Sequence, residues 1–131
     1  MPTTLNQTAL SKAALEKIKT LFPTLSVLVL IGSHATGKTH ANSDWDFAFF
    51  FSEPDDFLRL ALTEQLRATL ADLLACDTAM IDLVDIRAAR LAMRDVIAHE
   101  GIIILTKDDH FWFQFLEQTK QELASWRQGH E

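Results

Sequence analysis

The chain has 131 residues, with 12 Lys plus Arg against 18 Asp plus Glu, and a formal net charge of −6. That length suits one domain spanning 1–131, and 48% hydrophobic with 23% charged residues excludes wholesale disorder. The acidic balance argues against sequence-independent nucleic-acid binding, and the lone Cys76 excludes a disulfide framework or a multi-cysteine metal site and suits a reducing cytoplasm.

The opening residues, Met1-Pro2-Thr3-Thr4-Leu5, lack the charged-then-apolar layout of a secretory leader, which argues against export. Residues 8–22 read as a helix: Leu10, Ala14, Ile18 and Leu21 recur at three- and four-residue spacing, and Pro23 follows as a stop. Residues 25–31 form an unbroken run rich in Val and Leu, the look of a strand covered on both faces. No apolar run reaches the length of a membrane span. Residues 32–43 are a loop of small polar residues. Residues 44–51 alternate as a strand does: Asp44, Asp46, Ala48 and Phe50 share one face, and Trp45, Phe47, Phe49 and Phe51 the other.

Ser52-Glu53-Pro54-Asp55 has the form of a helix start, and the helix then runs to about Ala75 with Leu58, Leu62, Leu66, Leu70 and Leu73 as its buried stripe. Residues 79–86 are β-like, with Asp82 and Asp85 on opposite faces. Residues 88–100 read as a short helix with Ala89, Met93, Val96 and Ile97 inward, and Gly101 suits its C-terminal turn. Residues 102–105 form a short strand. Asp108 or Asp109 then caps a last helix, about 108–128, carrying Phe111, Phe115, Leu116 and Leu123. This helix is richer in aromatics than one face needs, so it either caps the core or meets a partner. The order α-β-β-α-β-α-β-α predicts an α/β domain with a small mixed sheet.

One loop invites a misreading. Gly32-Ser33-His34-Ala35-Thr36-Gly37-Lys38-Thr39 matches the pattern G-x4-G-K-[ST] of phosphate-binding loops at every position. That motif works only if a helix starts at the Lys-Thr, so that its first amides hold the phosphates. Here four residues, 40–43, separate Thr39 from the next strand, about one helical turn. The context rules against a P-loop.

The same residues fit another chemistry. Gly32-Ser33 ends one strand, and Asp44 and Asp46 open the next. Two acids at i and i+2 on a strand project to the same side and can converge on a hard cation such as magnesium. Asp82, in the otherwise apolar Ile81–Val84 segment, is the candidate third carboxylate; an acid left unpaired there would be costly to bury. Ser33 and the amides of the glycine turn can hold phosphate oxygens.

The pattern G-S-x10-D-x-D, met by Gly32, Ser33, Asp44 and Asp46, resembles the signature of the DNA-polymerase-β-like nucleotidyltransferases. Within them the chain resembles the minimal nucleotidyltransferase (MNT) family over most of its length, including the Ile81-Asp82-Leu83-Val84-Asp85 strand and the Val96-Ile97-Ala98-His99-Glu100-Gly101 helix end. The loop departs from the family at Lys38-Thr39-His40, where relatives often carry arginine and acidic residues. The resemblance implies the following. Asp44, Asp46 and Asp82 would be catalytic and hold Mg2+, and Gly32 and Ser33 would bind the phosphates of ATP. The protein would be the antitoxin of a HEPN–MNT toxin–antitoxin module, transferring AMP from ATP to a tyrosine of its HEPN ribonuclease toxin. Two alternatives stand beside this: an antitoxin that neutralises by contact alone, and a nucleotidyltransferase for RNA or a small molecule. Net charge and length speak against the latter.

Blander readings cover the other reactive side chains. His34 and His40 frame the loop, but six residues apart is not a zinc-ligand spacing. Arg94 and His99 match the R-x4-H of HEPN ribonucleases, an all-helical family, by coincidence. Cys76 is a small residue at a helix end, and Asp85 is expected to pair with Arg87 or Arg90.

Overall fold

A computed structural model of the protein describes residues 10–39 and 43–130. The elements run α1 (Lys12–Leu21), β1 (Leu25–Ile31), α2 (Ser33–Thr36), β2 (Trp45–Phe51), α3 (Asp56–Leu73), β3 (Ile81–Asp85), α4 (Leu91–Glu100), β4 (Ile102–Thr106) and α5 (Asp109–Gly129). The strands form one sheet in the order β3-β2-β1-β4. β1 pairs antiparallel with both β2 and β4, while β2 and β3 run parallel. A parallel neighbour requires a crossover, and α3 supplies it.

The interior position of β1 explains its composition. All seven of its residues are buried, since one face meets α1 and α3 and the other meets α4 and α5. β2 divides its side chains as the alternation predicts. Phe47, Phe49 and Phe51 enter the layer with Ala14, Leu15, Ile18, Leu66 and Leu70, and Ala48 enters the opposite layer with Val27, Val29, Ile97 and Phe115. Each fully buried Phe or Leu is worth about 1.5–3 kcal/mol by transfer from water.

Side chains close the helix ends. Ser11 accepts from the Ala14 N–H at 3.1 Å, Asp55 from Leu58 at 2.9 Å and Asp108 from Phe111 at 3.0 Å. At the C-terminus of α1 the Lys107 ammonium donates to the carbonyls of Lys19, Phe22 and Pro23 at 3.2, 3.0 and 3.4 Å, where the helix dipole favours a cation.

Several expectations need correction. Residues 32–43 contain a one-turn helix, α2. Leu21 and Leu58 are half exposed, at 51% and 49%, and Leu15 takes the inward place in α1. Leu58 lies in the first turn of α3, and of the stripe only Leu66 and Leu70 are fully buried, with Ala71 beside them. In the 79–86 segment only Ile81–Asp85 is strand, flanked by short 3-10 turns. Met93 is outward, and Ile97 alone in α4 is fully buried. Gly101 has φ −69°, which any residue adopts. Its glycine is demanded by space instead, because a Cβ would overlap the Ile97 carbonyl and lie 2.5 Å from Val29 Cγ1. The aromatic helix α5 divides: Phe115 is buried and Phe111 stacks on Phe50 at 4.2 Å, whereas Phe113 and Trp126 face outward. Among the described residues no helix is long and apolar enough to cross a membrane.

Candidate active site

Strand register builds the site. Ile31 at the end of β1 lies opposite Asp46, and Asp46 lies opposite Asp82 of β3. Paired residues of neighbouring strands project on the same face, so the parallel β2–β3 pairing sets the two acids side by side. Gly32 follows Ile31 with φ +75° and ψ −158°, a backbone region essentially reserved for glycine. A Cβ there would overlap Asp46 Oδ2 and lie 3.0 Å from its Cγ. The absent side chain lets the Asp46 carboxylate rest against the turn.

Ser33 opens α2. The Ala35 and Thr36 amides both donate to the Gly32 carbonyl, at 3.0 and 3.1 Å, and the Lys38 amide donates to Ser33 at 3.0 Å. Gly37, at φ +79° and ψ 14°, ends the turn in the left-handed conformation. Lys38, exposed, and Thr39 therefore follow a finished turn and do not head a helix, and β2 starts at Trp45. The structural requirement of a P-loop is unmet, as the spacing predicts.

The electrostatics single out Asp46. Burial pushes its carboxyl above the usual 3.8, the neighbouring Asp82 carboxylate and a side-chain hydrogen bond with it push further, and Asp44 adds to the effect, while His34 opposes it. Two carboxylates that share a hydrogen bond need a proton between them or a cation beside them. Asp82 is exposed on its edge strand, so the burial cost expected for it does not arise; charge crowding with Asp46 takes its place. Asp44 lies one residue before β2 and is exposed. The fold thus brings Gly32, Asp46 and Asp82 together with Asp44 at the margin. Among the described residues, no three His, Cys, Asp or Glu side chains already converge as a metal cage.

One contact beside the site was not read from the sequence. The His34 imidazole lies flat on the Trp45 indole, with centroids 3.5 Å apart and planes 11° apart, and its Nε2 is 3.4 Å from the Ser43 carbonyl. These contacts occupy His34, and His40 lies outside the described residues. Trp45 therefore packs partly against this ring as well as against the core.

The remaining reactive groups are engaged elsewhere. The Asp85 carboxylate accepts from the Arg87 backbone N–H at 2.9 Å, and the Arg87 guanidinium turns away to donate to the Phe51 carbonyl at 2.6 Å and to lie 4.6 Å over the Phe50 ring. The ion pair expected of Asp85 is replaced by a cap. Arg94 pairs with Glu122, and His99 with Asp95 at 2.6 Å. Burial, then Asp77, pushes the Cys76 thiol up, the reverse of an activated nucleophile.

The nucleotidyltransferase domain family described as "Polymerase beta, Nucleotidyltransferase" matches residues 15–110, a span that holds Gly32, Ser33, Asp44, Asp46 and Asp82. The chain belongs to this nucleotidyltransferase family. A protein adenylyltransferase MntA from Aphanizomenon flos-aquae (strain 2012/KM1/D3) is 31% identical over 92 residues, 67% of this chain. The chain spans 61% of the length of that relative. A solved toxin–antitoxin structure with AMP-PNP superposes with a TM-score of 0.62 at 26% identity, covering 97% of this chain and 94% of the other. A mutant of the MntA-HpeT toxin–antitoxin superposes with a TM-score of 0.62 at 28% identity, covering 92% and 94%. The α/β architecture with a mixed sheet is thus the nucleotidyltransferase fold that the G-S-x10-D-x-D spacing leads one to expect.

Proposed function

We propose that this nucleotidyltransferase is the MNT antitoxin of a HEPN–MNT module, and that it transfers AMP from ATP to a tyrosine of its HEPN toxin. The observation that carries the reading is the juxtaposition of Asp46, Asp82 and the side-chain-free Gly32 at the strand ends, where a triphosphate turn and an acidic site meet. The adenylyltransferase relative and the toxin–antitoxin structures support the choice of reaction and partner. The 131 residues contain no tyrosine, so a tyrosine acceptor would lie outside them.

Under this reading Gly32 and Ser33 would bind the phosphates of ATP, and Asp44, Asp46 and Asp82 would hold Mg2+. The donor set fits that ion. It is all oxygen, it lies at a strand end open to solvent, and burial together with the neighbouring Asp82 raises the Asp46 carboxyl, where a hard cation would favour the charged form. Asp44, exposed just before β2, would supply the remaining carboxylate of the set. Magnesium, when bound, supplies polarisation of the α-phosphate. The tyrosine oxygen bonds to the α-phosphorus, the bond to the bridging oxygen breaks, pyrophosphate leaves, and the phenolic proton passes to water. What the chain supplies is alignment: Gly32 allows the phosphate chain close to the Asp46 side, and the turn of α2 holds it there.

The test is intact-mass spectrometry of the cognate toxin after incubation with this protein, ATP and magnesium. AMP-sized additions on toxin tyrosine appear with wild type and not with Asp44→Asn or Asp46→Asn, and ribonuclease activity stays low after the antitoxin is removed. An unmodified toxin, inhibited only while the two are bound, refutes AMP transfer and leaves a contact-only antitoxin.

A further inference from the structure

We propose that His34 is a positioning residue that fixes the backbone on both sides of Asp44 and so sets that carboxylate against Asp46 and Asp82; the inference rests on the metal site proposed above. Of the three acids, Asp46 and Asp82 are held by the β2–β3 ladder, whereas Asp44 precedes the strand and carries an exposed side chain. Its neighbours are where His34 makes contact. The imidazole stacks on Trp45, the next residue, and Nε2–H donates to the carbonyl of Ser43, the residue before. Both contacts come from one side chain in the first turn of α2, whose conformation is fixed by Gly32, Gly37 and the amide bonds to the Gly32 carbonyl.

The arrangement has a directional logic. Trp45 points to the strand face opposite Asp44 and Asp46, where Trp45 also stacks near Phe47 with centroids 6.4 Å apart. A ring pinned on that face fixes the rotation of the strand about its own axis at the point where Asp44 leaves it. The Ser43 carbonyl fixes the preceding peptide plane. With both planes held, the Asp44 Cα–Cβ direction is set before any ligand arrives, which is the preorganisation that a converging ligand set requires. The phosphate-binding turn and the acid at the strand start are thereby one unit, because His34 is the direct neighbour of Ser33.

The hydrogen bond and the stack are separable by substitution. His34→Gln keeps a donor and loses the stack; His34→Phe keeps the stack and loses the donor; His34→Ala loses both. Two readouts are taken on each full chain: Mn2+ binding without nucleotide, followed by the loss of the free-ion electron paramagnetic resonance signal, and thermal melting in EDTA. Asp46→Asn serves as the reference for the site. The expectation is that wild type binds Mn2+ in an Asp46-dependent manner, and that His34→Ala weakens binding about tenfold. His34→Phe and His34→Gln each recover part of the loss, and the EDTA melting temperatures of all three stay close to wild type. Wild-type Mn2+ affinity in His34→Ala, with Asp46→Asn defective, overturns the positioning role and leaves the metal site standing. Mn2+ binding in wild type that Asp46→Asn does not change overturns both. A weakened His34→Ala whose melting temperature in EDTA falls in step, with no recovery by Phe or Gln, assigns His34 a general stabilising role and overturns the proposal as well.

Discussion

Replacing Gly32 by alanine probes the closest approach in the site. The backbone at φ +75° and ψ −158° strains any side-chain-bearing residue, at a cost of about 1–3 kcal/mol. The new Cβ would also overlap Asp46 Oδ2 and stand 3.0 and 3.1 Å from its Cγ and Cβ. The carboxylate, Cγ included, can swing away about χ1, but Asp46 Cβ cannot retreat without moving β2, so crowding adds about 1–2 kcal/mol. Gly37→Ala is the internal control: it has a positive φ of +79° but nothing within 4 Å, so it carries backbone strain alone, about 1–2 kcal/mol. Urea unfolding in EDTA at neutral pH therefore places Gly32→Ala below Gly37→Ala by roughly 1–3 kcal/mol, or several degrees in Tm for a domain of this size. AMP transfer to the toxin should collapse in Gly32→Ala, because whichever way Asp46 yields its carboxylate leaves the turn. Gly37→Ala keeps most of its activity. A Gly32→Ala protein as stable as Gly37→Ala and as active as wild type would refute the packing argument and the assignment of this turn together.

Two further outcomes follow from the electrostatics. Because the folded chain raises the Asp46 carboxyl above 3.8, it binds that proton more readily than the unfolded chain does, so this group's contribution to stability falls as pH climbs through the interval above 3.8. Asp46→Asn should accordingly raise the metal-free melting temperature at neutral pH, with the gain vanishing as pH descends to 3.8; a gain independent of pH would contradict the cause given. Lys107→Met removes the ammonium that closes the C-terminus of α1 on three carbonyls, and should lower the unfolding free energy by about 1 kcal/mol, read as a lower urea midpoint. An unchanged midpoint would show that water replaces the ammonium at no cost.

What could be read in the sequence was whatever depends on parity and apolar continuity. The unbroken run of β1 announced an interior strand, and the alternation of β2 placed Asp46 and Phe47 on opposite faces. The neighbourhood of Asp46 and Asp82 also follows from strand parity once the two strands are paired. What escaped depends on distance in space. α2 is a single turn, too short for a helical period to register. Leu21, Leu58 and Met93 obey the spacing of a buried stripe but sit in the last or first turn of their helices, where they are exposed. The exposure of Asp82 depends on β3 being an edge strand, and strand order is not written in local composition. The His34–Trp45 stack joins residues eleven positions apart in the sequence, and no periodicity records it.

The edge position of β3 has a consequence beyond catalysis. A terminal strand offers unpaired amides and carbonyls to any other chain that arrives extended, and the usual safeguard is charge on that strand. β3 reads Ile81-Asp82-Leu83-Val84-Asp85, five residues with an acid on each face. Without those acids it would be an apolar, β-prone segment, the composition that seeds fibrils. Asp82 thus guards this edge by the same negative charge that would hold the proposed cation. Neutralising both acids would cost more than activity, since it would open the edge beside the site to strand addition and aggregation.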